Sequence, residues 1–341
     1  MTKQQAGGIK VGKNTLRSLA KAVRQDKLWR TVDSLASFPT RHTHSKHLPK
    51  VARWIGSQFW KRGYNKDVLM VPYQHGRYER LNVLCRKESD NAHASVRIVC
   101  AHFDSRTEDS GDRRSPAPGA NDNATGIAVL LELARLLQPM KLDHTIEFLA
   151  TSGEEQDLWG AKAYAEHVKG QNTKIDFVLN IDEVGCPNEA REVVLEYDTT
   201  DDNMTNNRLS EDLARRVAKR ATEELNITSM HKGIIDSDYM PFEKLGYVAI
   251  GLFESGEYEF EHSSRDIPYH VDFAYVADVT RVALAALLDQ EGASAKRRAL
   301  SLTRQEPAAA PRRKRRQEPS RAPGAAPATA PAPGSRRRTP A

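Results

Sequence analysis

The chain has 341 residues, 39% of them hydrophobic and 28% charged, which is enough for one large domain or two ordinary ones. No run of about 18 apolar residues occurs, so a membrane-spanning helix is not expected. The polar start lacks the apolar centre of a secretory signal, and we therefore expect a cytoplasmic protein. The three cysteines, Cys85, Cys100 and Cys186, are too few for a disulfide framework and are expected to be inert buried thiols.

The net charge of +6 is distributed unevenly. Residues 291–341 contain 13 Lys or Arg and three acids, whereas residues 1–290 contain 38 basic and 42 acidic residues. The tail is rich in Ala, Pro and Arg, and it cannot bury enough apolar surface to offset the entropy of ordering. We predict a flexible N-terminus over residues 1–14, a folded domain over 15–290 and a disordered tail over 291–341. The basic run Pro311–Arg316 either contacts nucleic acid, an anionic surface or an acidic partner, or only aids solubility.

The first third of the folded region combines helices with a hairpin. Apolar residues at helical spacing predict one or two helices over Thr15–Leu35 and another over His44–Gly63, with Gly63 as its C-cap. Two strands, Val68–Tyr73 and Leu81–Arg86, follow on either side of a turn. His42, His44 and His47 are neighbours at the entry to the second helical region. No acid or cysteine accompanies them, which favours a polar helix entry over a metal site.

Three short apolar runs in the centre of the chain predict buried strands, Val96–Cys100, Thr145–Ala150 and Phe177–Ile181. Between the first two, apolar residues recur at helical spacing up to Leu137, and Trp159–His167 predicts a shorter helix before the third. Alternating strands and helices indicate a parallel sheet with helices packed on it. Ligands of such sheets bind beyond the carboxyl ends of the strands.

The last third continues the alternation of strands and helices. The pattern predicts strands at Glu192–Tyr197 and Val248–Phe253, and helices at Asn203–Leu225, Asp238–Leu245 and Tyr275–Leu288. The fold class that we predict is therefore α/β.

A histidine or a carboxylate follows each central strand, and together these residues predict a metal site. Imidazole nitrogens and carboxylate oxygens without thiolates are typical of zinc or a similar first-row metal at a catalytic centre. With one bridging carboxylate, five side chains supply three contacts to each of two metals and leave room for water. The candidate ligands are His102, Asp122 (the bridge), Glu155, Asp182 and His262.

Two further acids have candidate roles beside these ligands. Glu154 is adjacent to Glu155, so one of the two can bind metal while its neighbour faces the water as general base. Asp104 lies two residues from His102 and projects to the same side of an extended segment. There it can accept a hydrogen bond from the second ring nitrogen of His102 and orient the ring.

Five motifs contain or flank these residues: His102-Phe-Asp-Ser105, Pro118-Gly-Ala-Asn-Asp-Asn-Ala-Thr-Gly126, Ser152-Gly-Glu-Glu-Gln156, Gly160-Ala-Lys-Ala-Tyr164 and Asn180-Ile-Asp182. These motifs resemble those of the co-catalytic di-zinc aminopeptidases, the bacterial leucyl-type aminopeptidases to which glutaminyl cyclases and glutamate carboxypeptidases are related. The resemblance covers roughly Ser95–Leu288 and implies a single domain with a mixed, mostly parallel β-sheet and helices on both faces.

The resemblance also implies roles for single residues. One zinc ion would be held by His102, Asp122 and Asp182. The other would be held by Asp122, Glu155 and His262, with Glu154 as the base. His270 is the alternative last ligand, but the run His262-Ser-Ser-Arg-Asp266 fits the family pattern better.

One segment departs from the family pattern. Many relatives carry Ser-Asp-His where this chain has Ser237-Asp238-Tyr239. The resemblance therefore implies no side-chain preference for the substrate. It also leaves open whether Tyr239 polarises the substrate carbonyl or packs in the interior.

Three functions are compatible with the sequence. The first is a metal-dependent exopeptidase that hydrolyses the N-terminal residue from peptides. The second is a single-zinc glutaminyl-peptide cyclotransferase. It is less favoured because five ligands are present and Gly153–Gly160 resembles the peptidase form. The third is a non-catalytic binding module on the same fold, which recruits partners through the basic tail.

Overall fold

A computed structural model describes residues 9–10, 14–91, 94–199, 204–234 and 236–291. The predicted flexible N-terminus and the predicted disordered tail lie almost entirely outside these residues, as does the basic run Pro311–Arg316. The described part of the chain contains no helix that is long and apolar enough to cross a membrane.

In the described residues, ten strands form two sheets. The strands are β1 (Ile9–Lys10), β2 (Val68–His75), β3 (Tyr78–Lys87), β4 (Val96–His102), β5 (Met140–Lys141), β6 (Thr145–Thr151), β7 (Ile175–Ile181), β8 (Val193–Tyr197), β9 (Ser229–Gly233) and β10 (Ala249–Phe253). Strands β1 and β5 form a separate parallel pair. The other eight strands form one sheet in the order β2-β3-β6-β4-β7-β10-β8-β9.

The centre of the large sheet is parallel and its flanks are mixed. Strands β6, β4, β7 and β10 are parallel neighbours, and β8 and β9 are also parallel. The pairs β2–β3, β3–β6 and β10–β8 are antiparallel. The predicted mixed, mostly parallel sheet in a single domain is confirmed.

Within the part of the chain that the structure describes, eight α-helices cover both faces of this sheet. They are α1 (Thr15–Lys21), α2 (Gln25–Ala36), α3 (Leu48–Lys61), α4 (Thr125–Leu137), α5 (Trp159–Gly170), α6 (Met204–Arg220), α7 (Met240–Lys244) and α8 (Phe273–Leu287). Alternate residues of β4 point to opposite faces: Val99 and Ala101 join the core under α4 and α8, and Ile98 and Cys100 join the core under α5 and α7. Helix α4 is buried almost all round, which explains its continuous apolar sequence.

The structure differs from the predicted elements most clearly at the start of α3 and at β9. The helix predicted from His44 begins at Leu48, and Pro49 occupies its first turn, where a missing N–H costs nothing. The region Thr15–Leu35, predicted as one or two helices, forms two, and at the junction the backbone N–H of Arg24 donates to the buried Glu132 carboxylate at 2.8 Å. Strand β9 was not predicted, since its polar, partly exposed residues give no apolar signal.

Candidate metal and active site

The topology brings residues that are distant in sequence to one edge of the sheet. His102 is the last residue of β4, the Glu154-Glu155 pair follows β6, and Asp182 directly follows β7. His262 lies in the connection that follows β10. Because these four strands are parallel, their carboxyl ends meet at the same edge, and the side chains beyond them share one cleft.

Asp122 lies between the two histidines of this cleft. Its Oδ1 atom is 3.2 Å from Nε2 of His102, and its Oδ2 atom is 3.1 Å from Nε2 of His262. The residue is 5% exposed, and the Asp122–Asn123 peptide bond is cis. The two oxygens of one carboxylate thus face two different imidazoles.

Asp182 and Glu154 lie on the His102 side of this carboxylate. Nε2 of His102 is 3.1 Å from Oδ1 of Asp182 and 3.8 Å from Oε2 of Glu154. The second oxygen of Asp182 accepts a hydrogen bond of 2.6 Å from the hydroxyl of Ser237. Ser237 in turn accepts a hydrogen bond from the side chain of Asn180 on β7. The orientation of Asp182 is therefore set by buried side chains behind it.

Glu155 lies on the His262 side. Its Oε2 atom is 3.3 Å from Nε2 of His262 and 2.8 Å from Nε of Arg106. Its Oε1 atom is buried and has no hydrogen-bond partner among the residues that the structure describes. The outer ring nitrogen of His262 lies 3.1 Å from the carboxylate of Glu261. An imidazole flanked in this way by two carboxylates has a fixed ring orientation.

Asp104 lies on the predicted side of His102, but it does not form a close hydrogen bond with the ring. Its Oδ1 atom is 3.7 Å from Nδ1 of His102, which is longer than a normal hydrogen bond. The closer partners of Asp104 are the hydroxyl of Thr43, at 2.6 Å, and the backbone N–H of Glu154, at 3.3 Å. Asp104 therefore connects the end of β4 to the segment that carries Glu154.

Burial and nearby charges shift the pKa values of the side chains in this cleft. Burial opposes the charged form of His102, but Asp182 and Glu154 outweigh it and raise the pKa of His102 well above its usual range. Hydrogen bonds from both histidines outweigh the burial of Asp122 and lower its pKa. For Glu155, burial and the neighbouring Asp122 raise the pKa to about 7. Metal binding would displace protons from these groups, since ligands bind in their deprotonated forms.

The donor atoms of the cleft fit divalent metal ions. Single atoms from His102, Glu154 and Asp182 lie within 4.8 Å of one another, and the same holds for His102, Asp122 and Glu155. All these donors are imidazole nitrogens or carboxylate oxygens, the set that zinc takes at catalytic centres. The unpartnered buried oxygen of Glu155 is a position that a cation would satisfy.

Two residues that support the Asp122 segment were not given roles by the sequence analysis. The buried guanidinium of Arg41 donates to the backbone carbonyls of Phe103 and Gly119, each at 2.8 Å. The carboxylate of Asp266 accepts the backbone N–H groups of Asn121 and Asp122, at 2.8 and 3.0 Å. The sequence offers no signal for Arg41, whereas Asp266 belongs to the motif that contains His262.

The structure also shows the positions of Tyr239 and His270, the two residues whose roles the sequence left open. Tyr239 is 1% exposed, and its hydroxyl donates to Oε2 of Glu196 at 2.8 Å, so this side chain packs in the interior. His270 lies in a short 3₁₀ turn, and its ring stacks on Phe260 with 4.0 Å between centroids.

Residues 82–287, well over half of the chain, match the model of peptidase family M28. The chain belongs to this family. It is therefore a peptide hydrolase, and the resemblance to the zinc aminopeptidases and their relatives is confirmed at the level of the family.

Individual proteins resemble this chain in sequence or in fold. A protein of Pyrenophora tritici-repentis described as a probable zinc metalloprotease is 29% identical, over 80% of this chain and 68% of that protein. The LapA aminopeptidase of Legionella pneumophila has the same fold, with a TM-score of 0.69 and 20% identity over 84% of this chain and 76% of that chain. A glutaminyl cyclase of Bacteroides thetaiotaomicron also shares it, with a TM-score of 0.64 and 18% identity over 79% and 98% of the two chains.

Proposed function

We propose that the protein is a zinc-dependent aminopeptidase with two co-catalytic metal ions, which removes the N-terminal residue from peptides. The observation that supports this most directly is the position of Asp122, whose two oxygens face Nε2 of His102 and Nε2 of His262. A carboxylate shared in this way suits two cations better than one. The description of the Pyrenophora relative as a probable zinc metalloprotease supports zinc as the metal.

In this proposal the five predicted ligands keep their assigned roles. His102, Asp122 and Asp182 would hold one ion, and Asp122, Glu155 and His262 would hold the other. Bound zinc supplies Lewis acidity and lowers the pKa of water toward ~7. The protein contributes the fixed geometry, because Ser237 orients Asp182, and Glu261 orients His262.

Glu154 is proposed as the general base. Its side chain lines the cleft and is 14% exposed, and its backbone is held by Asp104. Burial raises the pKa of Glu154 well above its usual range, and the nearby Asp182 adds to the effect. A carboxylate of raised basicity can accept a proton from the attacking water and return it to the leaving amine.

The test compares the wild type with Glu154→Gln for metal content and for turnover of a panel of aminoacyl anilides. The variant keeps the shape of the side chain and leaves the predicted ligands intact. We expect two zinc ions per chain in both proteins and turnover lower by about 10²-fold or more in the variant, the usual size of a general-base effect. Glu259→Gln serves as the matched control because Glu259 is exposed and lies outside the cleft lining. It should behave as the wild type does.

The same experiment separates the competing functions. Unchanged turnover in Glu154→Gln would remove this residue from its proposed role. A metal content near one per chain, together with cyclisation of a peptide with N-terminal glutamine, would support the glutaminyl cyclase instead. Full metal loading without turnover of any aminoacyl anilide would contradict the aminopeptidase proposal.

A further inference from the structure

The cleft contains more acids than the proposed chemistry uses. Its volume is about 280 Å³, and in the described part of the chain its lining includes four carboxylates beyond Glu154 and the predicted ligands. Among the described lining residues, Leu158 is the only apolar residue and Arg106 is the only lysine or arginine. The four additional carboxylates are Asp157, Glu183, Asp236 and Glu261.

These four acids are not equally available to a ligand. Asp157 is largely exposed and is paired with Lys162 at 2.6 Å. One oxygen of Glu261 faces the outer nitrogen of His262 at 3.1 Å. The carboxylates of Glu183 and Asp236 have neither a hydrogen bond nor an ion pair within the described ranges. Glu183 and Asp236 are therefore the acids most available to a substrate.

Glu183 lines the cleft next to a predicted metal ligand. It directly follows the predicted ligand Asp182, and its backbone carbonyl accepts the N–H of Glu254 at 2.9 Å. Its φ angle is +44°, a left-handed conformation that non-glycine residues seldom adopt. The surrounding structure thus holds a partly buried carboxylate beside the proposed metal positions, although no residue of opposite charge in the described part of the chain faces it.

The charge of the cleft stays negative after the proposed function is accounted for. Two divalent cations would balance four carboxylates, Asp122, Glu154, Glu155 and Asp182. Arg106 is already paired with Glu155. The N-terminal ammonium group of a bound peptide would balance one further charge. More than one negative charge among Glu183, Asp236 and Glu261 is then still unbalanced. These charges can interact with the side chain of the substrate.

We propose that the cleft selects peptides whose N-terminal residue has a cationic side chain, lysine or arginine, and that Glu183 is the main determinant, with Glu261 and Asp236 as further acids of the same lining. This inference rests on the proposed aminopeptidase function. An aliphatic side chain in this cleft would remove water from carboxylates without pairing with them, which is unfavourable. A cationic side chain of the same length pairs with those carboxylates instead. The lining thus both attracts basic residues and excludes apolar ones.

The test compares lysyl and norleucyl anilides, which have side chains of similar length and differ in the terminal charge. For the zinc-loaded wild type we expect kcat/KM to favour lysine by about tenfold or more, the range measured for close charge pairs. Glu183→Gln should bring this ratio close to one, mainly by raising KM for the lysyl substrate. The norleucyl substrate should be affected little. Glu259→Gln removes one acid from the same region outside the cleft lining, and its ratio should match that of the wild type.

A second measurement needs no variant. Free lysine should inhibit hydrolysis by the wild type more strongly than free norleucine, and added salt should reduce this difference. Equal or better turnover of the norleucyl substrate by the wild type would overturn the inference and leave the aminopeptidase function intact. An unchanged ratio in well-folded, metal-loaded Glu183→Gln would also overturn it. Absence of turnover with every aminoacyl anilide would instead contradict the proposed function itself.

Discussion

The two histidines on either side of Asp122 are supported in different ways. His102 ends β4, which is hydrogen bonded to β6 on one side and β7 on the other, and the residue is 1% exposed. His262 lies in a loop at a φ of +51°, and 21% of its side chain is exposed. One half of the candidate site is thus part of the sheet, and the other half depends on contacts between loops.

This difference indicates how each half achieves its geometry. The geometry of the strand-held half is set by the register of the sheet, and the same strands form the core of the domain. The loop-held half is joined to Asp122 by Asp266, which accepts backbone N–H groups of the neighbouring segment. Changes in the strand-held half should therefore reduce stability and function together. Changes in the loop-held half should reduce function more than stability.

The largest expected effect on stability is at His102. In the metal-free protein, Asp182 and Glu154 raise the pKa of His102, and the ring is charged among buried carboxylates. His102→Gln removes that charge, and we expect the free energy of unfolding to fall by about 3–5 kcal/mol, as for one partner of a buried ion pair. His262 is partly exposed, so His262→Gln should cost only about 1 kcal/mol.

Urea denaturation in the presence of a chelator measures both values. Equal losses for the two variants would contradict the distinction between the strand-held and loop-held halves. Zinc titration of the same variants should show weakened binding in both, because each histidine is a predicted ligand.

A smaller effect is expected at Asp266, which connects the loops. In Asp266→Asn a neutral amide replaces a carboxylate that accepts two backbone N–H groups and the hydroxyl of Tyr258. We expect a loss of about 1.5–3 kcal/mol in stability, the size of a hydrogen bond to a charged group. Turnover should fall by about 10–100-fold, as when the partner of a ligand is removed. Thermal denaturation and steady-state kinetics measure the two effects, and unchanged kinetics would show that the loop needs no such support.

The smallest effect is expected at Tyr239, whose hydroxyl bonds to Glu196. Burial raises the pKa of Glu196 to about 7, against the opposing effect of this hydrogen bond. Because the folded state holds this proton more tightly than the unfolded state, the contribution of Glu196 to stability decreases as the pH rises above its unfolded pKa. Tyr239→Phe should lower the free energy of unfolding by about 1 kcal/mol, with a larger loss at pH 8 than at pH 5. Turnover should change little. Loss of turnover at full stability would give Tyr239 a role at the substrate after all.

The central strands and the order of ligand candidates could be predicted from sequence because β4, β6 and β7 are buried on both faces. Each is a short apolar run that ends at a polar residue, so its position and its end are both visible. Strand β9 escaped prediction because its residues are partly exposed and do not alternate. Arg41 escaped as well. Its role depends on carbonyl groups more than 60 residues away, and no local pattern reports such a contact.

The sequence by itself determined the alternation of strands and helices, the position of a polar residue after each central strand, and the membership in peptidase family M28. These properties follow from local patterns of apolar and polar residues and from motifs of fixed spacing. Only the tertiary structure decided that Asp122 faces two imidazoles, that Tyr239 points inward to Glu196, and that Glu183 lines the cleft without a partner in the described residues. Each of these depends on distances between side chains that lie on different elements, and those distances are set by how the sheet and its loops pack.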